Sequence, residues 1–279
     1  MRERGRGEEG GGKKFPIPPV PNPSVALLAL GGQRSWAKKA ASAFSCRAFY
    51  FEGGEGEGGK FECLQLPGGG QIVSLKAQDE LALSHLLLSL LPEEADLVVF
   101  DPGKIEIKGD LYALSSCYVT AAGSREVLKN FSLLKRAGKK AIDLSWTKGE
   151  EWRERVASSL FSKIPAFFEV ETGSLDPSSL LLAGWAREKF GLPTKFRQSP
   201  SYSSSVSKVV FGAPGWQVCI KEAQGGGAFE IQDGQRSFKA PKRAWGTEDF
   251  LIRQMELLPP DPLYFKSLDF EALGAKDVG

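Results

Sequence analysis

The sequence predicts an α/β protein with a doubly wound, mostly parallel sheet and a small mixed C-terminal appendage. Three observations lead to this class. Segments typical of strands and of helices alternate from about Ser24 to Gly191. The strand segments are continuous apolar runs, which is typical of a parallel sheet covered by helices on both faces. After Leu192 the chain changes to short strand segments separated by turns that contain glycine.

The predicted buried strands share an apolar core and flanking glycine, proline or polar residues. In order they are Ser24–Leu30, Arg47–Glu52, the run "ADLVVFD" that ends at Asp101, Ser115–Thr120, "KKAIDLSW" and "PAFFEVE". Between the second and the third of these, "FECLQLPGGGQIVSL" predicts a short strand and a glycine turn, and it leaves open another strand after the turn. Ligands of such sheets bind at the carboxyl ends of the strands.

The predicted helices carry start and stop signals. They are Ser35–Phe44, Gln78–Leu91, Arg125–Arg136, Glu150–Phe161 and the segment "DPSSLLLAGWAREKFG". In the last of these we expect Asp176 as the N-cap, Pro177 at the first position and Gly191 as the terminator.

Composition predicts three regions. Residues 1–23 are charged, then rich in glycine and proline, and we expect a disordered tail. Residues 24–192 form the main domain, and residues 193–279 form the α+β appendage. The tail lacks the apolar core of a signal peptide. The chain contains no run of about 18 apolar residues, so we expect no transmembrane helix. Four cysteines without a CxxC pair fit a reducing cytoplasm, so we expect a cytoplasmic protein.

Composition argues against several chemistries. His85 is the only histidine and lies in an apolar helical segment, so it is interpreted as a packed or partly exposed helix residue. A metal site built from several histidines is therefore impossible. The net charge of +2 does not favour nucleic acid or membrane. The segment "KAPKRAW", Lys239–Trp245, is interpreted as a solvated loop and not as a nucleic-acid contact.

The glycines after the first strand raise the question of a phosphate-binding loop. A working loop reads GxxxxGK[ST], and counting from Gly31 or from Leu30 leaves the lysine and the hydroxyl position unfilled. Gly31 and Gly32 still permit close backbone approach, and Arg34 supplies positive charge. Taken alone, the segment favours an ordinary glycine turn. Asp101 ends a buried strand before Pro-Gly, where it either orders a magnesium-bound water or starts a turn.

Together these segments resemble the ParA/MinD family of P-loop ATPases, including the pilus-assembly branch called TadZ or CpaE. The resemblance is in "VALLALGGQRSWAKKAASAF", "RAFYFE", "CLQLPGGG" and "ADLVVFDPGK", in this order, and covers roughly Ser24 to Gly191. It implies a P-loop NTPase-like fold. It implies a nucleotide site at Gly31, Gly32, Gln33, Arg34, Ser35 and Asp101.

The family loop KGGxGK[ST] is degenerate in this chain. Aligned on the two glycines, Leu30 replaces the first lysine, Arg34 the third glycine and Ser35 the second lysine, and Trp36 stands at the hydroxyl position. Without the lysines the transferring phosphoryl group loses its stabilising charge, so we expect no ATP turnover. Weak binding of ATP or ADP through backbone amides and Arg34 remains open, with or without magnesium.

The resemblance thus predicts a non-catalytic or weakly active positioning or assembly factor, for example of pilus or secretion machinery. Its expected partners are a second copy or a related ATPase, bound through the face around Gly32, Arg34 and Asp101, and a protein of the assembly machine. Two alternatives stay open at this point. One is an ATPase with an atypical loop, and the other is an unrelated doubly wound ligand-binding module.

Overall fold

The computed structural model describes most of the chain in two compact units. The described residues are 2–6, 25–30, 34–51, 60–77, 79–91, 95–101, 109–121, 127–161, 163–173, 176–198, 206–258 and 261–269. The first unit comprises Met1–Ala121 and Lys139–Ile142, and the second comprises Ala122–Gly138 and Asp143–Gly279. Gly31, Gly32 and Gln33 lie outside the described residues, as does most of the predicted tail.

One mixed sheet forms the core of the first unit. Its strands in the described residues are β1 (Arg2–Arg6), β2 (Val25–Ala29), β3 (Arg47–Phe51), β4 (Lys60–Gln65), β5 (Gln71–Lys76), β6 (Asp96–Asp101), β7 (Cys117–Thr120) and β8 (Ala141–Asp143). The helices of this unit are α1 (Arg34–Phe44), α2 (Glu80–Leu90) and α3 (Asp110–Leu114).

The strand order in this sheet is β1-β4-β5-β3-β2-β6-β7-β8. The strands from β5 to β7 run parallel to one another, whereas β4 is antiparallel to β5 and β1 is antiparallel to β4. If β1 and β4 are set aside, the remaining strands in chain order give 3-2-1-4-5-6, the order of the doubly wound dinucleotide-binding fold. The sheet therefore has a switch point between β2 and β6, where successive strands change side.

Burial explains why the central strands are so apolar. In β2 the side chains from Ala26 to Ala29 are fully buried, and Leu97–Phe100 of β6 are almost fully buried. Neither face of these strands meets solvent, so the sequence shows no alternation. The two strands that these runs form pair in parallel, as expected for the predicted parallel sheet.

A glycine turn links β4 to β5 next to α1. Gly68 and Gly69 have φ of 88° and 93°, which glycine adopts without the strain that a side chain would cause. A Cβ on Gly70 would lie 2.2 Å from the carbonyl oxygen of Ala41 in α1. The "PGGG" of the sequence therefore serves this turn and its contact with the helix.

A second mixed sheet forms the core of the second unit. Its strands in the described residues are β9 (Phe167–Thr172), β10 (Thr194–Gln198), β11 (Lys208–Ala213), β12 (Trp216–Glu222), β13 (Ala228–Asp233) and β14 (Arg236–Pro241), in the order β10-β9-β11-β12-β13-β14. Only the β9–β10 pair among them is parallel. The helices are α4 (Val127–Ala137), α5 (Ser145–Lys148), α6 (Glu150–Leu160), α7 (Pro177–Phe190), α8 (Thr247–Glu256) and α9 (Pro262–Ser267).

Helix α7 begins and ends at clear capping signals in the local sequence. The carboxylate of Asp176 accepts a 2.7 Å hydrogen bond from the backbone N–H of Ser179, and Pro177 occupies the first position. The helix ends at Gly191, whose φ of 68° is left-handed. Asp176, Pro177 and Gly191 all have the predicted roles. Near the middle of the helix, a Cβ on Gly184 would lie 2.3 Å from the carbonyl oxygen of Ser267, so glycine lets α9 pack on the backbone of α7.

Four expectations about the architecture need correction or restatement. "PAFFEVE" was predicted to be a strand of the first sheet, but β9 belongs to the second sheet. Arg2–Arg6 of the expected tail form β1. The predicted domain limits at residues 23 and 192 stay predictions, although the two compact units divide the chain at other positions. The observed α/β fold contains two mixed sheets, and a P-loop identity is not supported by its strand order.

Candidate functional site

The carboxyl edge of the first sheet is the candidate site in the first unit. In register, Ala29 of β2 lies between Tyr50 of β3 and Phe100 of β6. The backbone N–H of Leu30 donates a 2.9 Å hydrogen bond to the carbonyl oxygen of Phe100. The chain thus leaves β2 at the switch point, and ligands of open α/β sheets bind in the crevice at this position.

Arg34 and Ser35 open helix α1 directly beyond this edge, and both are exposed. The guanidinium of Arg34 lies over the ring of Tyr50, 5.8 Å from the centroid. The first turn of α1 contains no acidic residue, so the positive end of the helix dipole is not neutralised there. These features suit an anion. Tyr50 was not among the predicted site residues, because in sequence it is one apolar strand residue among several.

Asp101 ends β6 at the same edge, as predicted. Its Oδ2 accepts a 2.8 Å hydrogen bond from the hydroxyl of Tyr118 on β7. The structure thus places Arg34, Ser35 and Asp101 at one edge of the sheet, after the adjacent strands β2 and β6. Whether they bind a ligand with Gly31, Gly32 and Gln33 stays a prediction.

Trp36 occupies the contact between α1 and the sheet. Its side chain is 1% exposed, and its ring centroid lies 5.1 Å from that of Phe100. The indole Nε1 is buried and has no hydrogen-bond partner among the described residues. In the dinucleotide fingerprint GxGxxG the third glycine allows close packing of the helix on the strand. Counted from Gly31, Trp36 stands at that position, so an aromatic ring fills the space here.

A cavity of about 310 Å³ is the candidate site of the second unit. Its lining combines aromatic rings, cations and two carboxylates: Lys148, Glu151, Trp152, Ser178, Val206, Glu222, Gly226, Phe229, Lys242, Arg243, Ala244, Trp245 and Phe250. The segment "KAPKRAW" was interpreted as a solvated loop. The structure instead places Lys242, Arg243 and Trp245 in the wall of this cavity.

Carboxylates of α6 and β12 hold that segment in place. Both oxygens of Glu151 accept hydrogen bonds from the backbone N–H of Arg243, at 3.0 and 3.2 Å. Glu154 pairs with the guanidinium of Arg243 at 2.9 Å, and the ammonium of Lys242 pairs with Glu222. Because Glu151 is only 8% exposed, its contacts fix the backbone at Arg243 in a low-dielectric environment.

Aromatic rings form the apolar part of the cavity wall. Trp152 meets Phe229 edge to face, with centroids 4.8 Å apart. Trp245 meets Phe250 in the same way at 5.5 Å, and the guanidinium of Arg243 lies 4.7 Å from the centroid of Trp245. The half-buried Trp245 therefore has a fixed orientation.

Other functional features are missing from the described part of the chain. It contains no cluster of three or more His, Cys, Asp or Glu side chains that could hold a metal ion. No helix within it is long and apolar enough to cross a membrane. His85 is exposed on α2.

The chain is similar to known proteins in both units. A family model that describes the C-terminal domain of a glucose-6-phosphate dehydrogenase subunit matches residues 139–268, somewhat less than half of the chain. No curated protein matches this chain. Among solved structures, levoglucosan dehydrogenase in complex with NADH and levoglucosan has a TM-score of 0.51 at 8% identity, over 89% of this chain and 95% of that one.

Two further solved structures have lower TM-scores. The 3-ketoreductase KijD10 from Actinomadura kijaniata, with TDP-benzene and NADP, has a TM-score of 0.48 at 10% identity, over 90% of this chain and 96% of that one. Biliverdin reductase from Synechocystis, with biliverdin and NADP+, has a TM-score of 0.45 at 9% identity, over 91% and 98%. At these identities a structural similarity concerns the fold and not the activity.

These findings overturn the ParA/MinD resemblance. The strand order is that of a dinucleotide-binding fold, the family model describes a dehydrogenase subunit, and levoglucosan dehydrogenase shares the fold. The interpretation as a pilus or secretion positioning factor is therefore wrong. The expectation of ATP or ADP as cofactor is wrong for the same reason. The expected lack of enzymatic activity was argued from a degenerate P-loop. It is wrong, because the strand order is not that of a P-loop protein and residues 139–268 match a model that describes a dehydrogenase subunit.

Proposed function

We propose that this chain is a subunit of a nicotinamide-dinucleotide-dependent oxidoreductase of the glucose-6-phosphate dehydrogenase type. The observation that carries the proposal is the strand order of the first sheet, with its switch point between β2 and β6. The similarity of residues 139–268 to a domain of a dehydrogenase subunit supports the choice of reaction class. A bound NAD or NADP would supply hydride transfer.

The residues at the carboxyl edge fit a dinucleotide. A pyrophosphate binds favourably at the amino end of a helix whose first turn contains no acidic residue. Helix α1 is such a helix. The exposed guanidinium of Arg34 adds a charged donor, and Gly31 and Gly32 precede it in the sequence. Asp101, oriented by Tyr118, would accept hydrogen bonds from ribose hydroxyls. Trp36 stands where the fingerprint has its third glycine. We therefore expect the position of α1 against the sheet to differ in detail from that in proteins with this glycine.

Titration of the full chain with NAD, NADP and ATP tests the cofactor. We expect quenching of tryptophan fluorescence, with a Kd in the micromolar range for at least one dinucleotide and no saturation by ATP. If neither dinucleotide binds at millimolar concentration, the proposal for the first unit fails. Saturation by ATP alone would contradict it equally.

An activity assay tests the reaction class. Reduction of NAD or NADP by glucose 6-phosphate is followed with the chain alone, with a catalytic glucose-6-phosphate dehydrogenase alone, and with both. We expect the chain to contribute activity by itself or to change the rate of the other protein. No activity and no effect on the rate would contradict the proposal that the chain is a subunit of such an enzyme.

The partner and the compartment stay predictions. A homodimer was expected, and a glucose-6-phosphate dehydrogenase is now the proposed hetero-partner. Sedimentation of the full chain, with and without that enzyme, tests both. A cytoplasmic location also remains a prediction from the cysteine pattern.

A further inference from the structure

We infer that the cavity of the second unit binds a sugar monophosphate. The inference rests in part on the proposed function, which suggests the reaction class, and in part on the cavity wall itself. With about 310 Å³ the cavity lies at the lower end of the roughly 300–1,000 Å³ typical of small-molecule sites. This volume suits a single phosphorylated sugar better than a dinucleotide.

The cations of the lining differ in how far they are already neutralised. Lys242 pairs with Glu222, and Arg243 pairs with Glu154. Lys148, the last residue of α5, is exposed and forms no ion pair within the described residues. The cavity therefore has one ammonium available for an anion.

Ser178 provides a second polar group for the same anion. It lies in the first turn of α7, it is half-buried, and α7 packs against α5, which carries Lys148. A hydroxyl and an ammonium that both line a cavity are donors that a phosphate group accepts from.

The rest of the wall suits the hydroxyl groups and the apolar face of a sugar. A carboxylate offers about four lone-pair sites, and the contacts of Glu151 and Glu222 leave some of these for hydroxyl donors. Trp245 is half-buried and held by Phe250 and Arg243, so it offers a rigid ring against which a sugar can pack.

Calorimetric titration of the full chain with glucose 6-phosphate, glucose and inorganic phosphate tests the inference. We expect glucose 6-phosphate to bind, and each fragment to bind at least about tenfold more weakly because each makes only part of the contacts. Lys148→Ala should weaken the binding of glucose 6-phosphate about tenfold through loss of a charged hydrogen bond. It should leave the binding of glucose unchanged. Lys189→Ala is the matched control, because Lys189 is an exposed lysine of α7 outside the cavity lining.

A second pair of variants tests the sugar end. Trp245→Ala should weaken the binding of glucose 6-phosphate and of glucose alike. Trp245→Phe should retain most of the affinity for both. The inference is overturned if glucose 6-phosphate gives no heat at millimolar concentration, if Lys148→Ala binds it as tightly as the unchanged chain, or if Lys189→Ala weakens it equally.

Dinucleotide titration of the same preparation separates the two proposals. Binding of NAD or NADP without binding of glucose 6-phosphate overturns the sugar-phosphate site and leaves the cofactor proposal intact. Binding of glucose 6-phosphate without either dinucleotide supports the cavity and contradicts the cofactor proposal.

Discussion

The hydroxyl of Tyr118 donates a 2.8 Å hydrogen bond to Oδ2 of Asp101 and so joins two neighbouring parallel strands. Asp101 is paired in register with Thr120, two residues after Tyr118. Because residues two apart on a strand share a face, the bond runs diagonally across one face of the sheet. It orients the carboxylate at the carboxyl edge, next to the chain that leaves β2.

Replacing Tyr118 by Phe should loosen that carboxylate without emptying the core. Tyr118 is 2% exposed, so the ring is retained and the loss is that of one hydrogen bond to a carboxylate, about 1.5 kcal/mol of unfolding free energy. Urea unfolding measures it. We also expect weaker dinucleotide binding, and an unchanged Kd would show that Asp101 does not contribute to the site.

Charge reversal at the start of α1 should reduce dinucleotide affinity. Arg34→Glu places a negative charge beside the proposed pyrophosphate position. We therefore expect dinucleotide affinity to fall about tenfold or more, and this loss of affinity should shrink as salt is added. Lys38→Glu is the control, because Lys38 is an exposed basic residue one turn further along α1. Equal losses in both variants would indicate a general charge effect and not a contact.

Tyr264→Phe should destabilise the second unit. Tyr264 is fully buried, and its hydroxyl oxygen accepts a 2.7 Å hydrogen bond from the backbone N–H of Asp143. Removing the acceptor weakens the hydrogen bonding of a buried donor, at about 1–3 kcal/mol. Thermal unfolding should show a lower Tm. A Tm equal to that of the unchanged chain would mean that the Asp143 N–H finds another acceptor.

The thiols of Cys46 and Cys117 should react slowly with alkylating reagents. Burial raises the pKa of each from 9.0 to about 12, so both stay protonated at pH 8. The raised pKa values also mean that these thiols stabilise the fold below pH 9 and that this contribution falls as the pH rises from 9 to 12. Labelling followed by peptide mass spectrometry should modify the less buried Cys63 and Cys219 before Cys46 and Cys117. Labelling of all sites at one rate would contradict the burial.

Local signals in the sequence were sufficient for most elements of the first sheet. The runs that became β2 and β6, the caps of α7 and the turn at Gly68 each depend on neighbouring residues only. The strand order does not, because it depends on contacts between segments far apart in the chain. A strand, a glycine loop and a strand-ending Asp101 occur in both P-loop and dinucleotide-binding sheets, so this pattern could not distinguish the two families.

The misplacement of β9 had a signal that was available in the sequence. Phe168 and Val170 are buried, while Glu169 and Glu171 between them are partly exposed. This alternation is typical of a strand with one solvated face, unlike the continuous runs of the first sheet. The cavity could not be predicted in the same way, because Lys148, Ser178 and Trp245 come from segments that only the tertiary fold brings together.

The path of the chain between the two units limits how this protein can be divided. Residues 122–138 belong to the second unit, residues 139–142 return to the first, and the chain then re-enters the second at Asp143. No single cut therefore yields two intact halves, and a break at Gly191 would separate β9 from its partners β10 and β11. Recombination at one point would likewise disrupt at least one of the two cores, so the two units are expected to have been inherited together and not shuffled as independent modules.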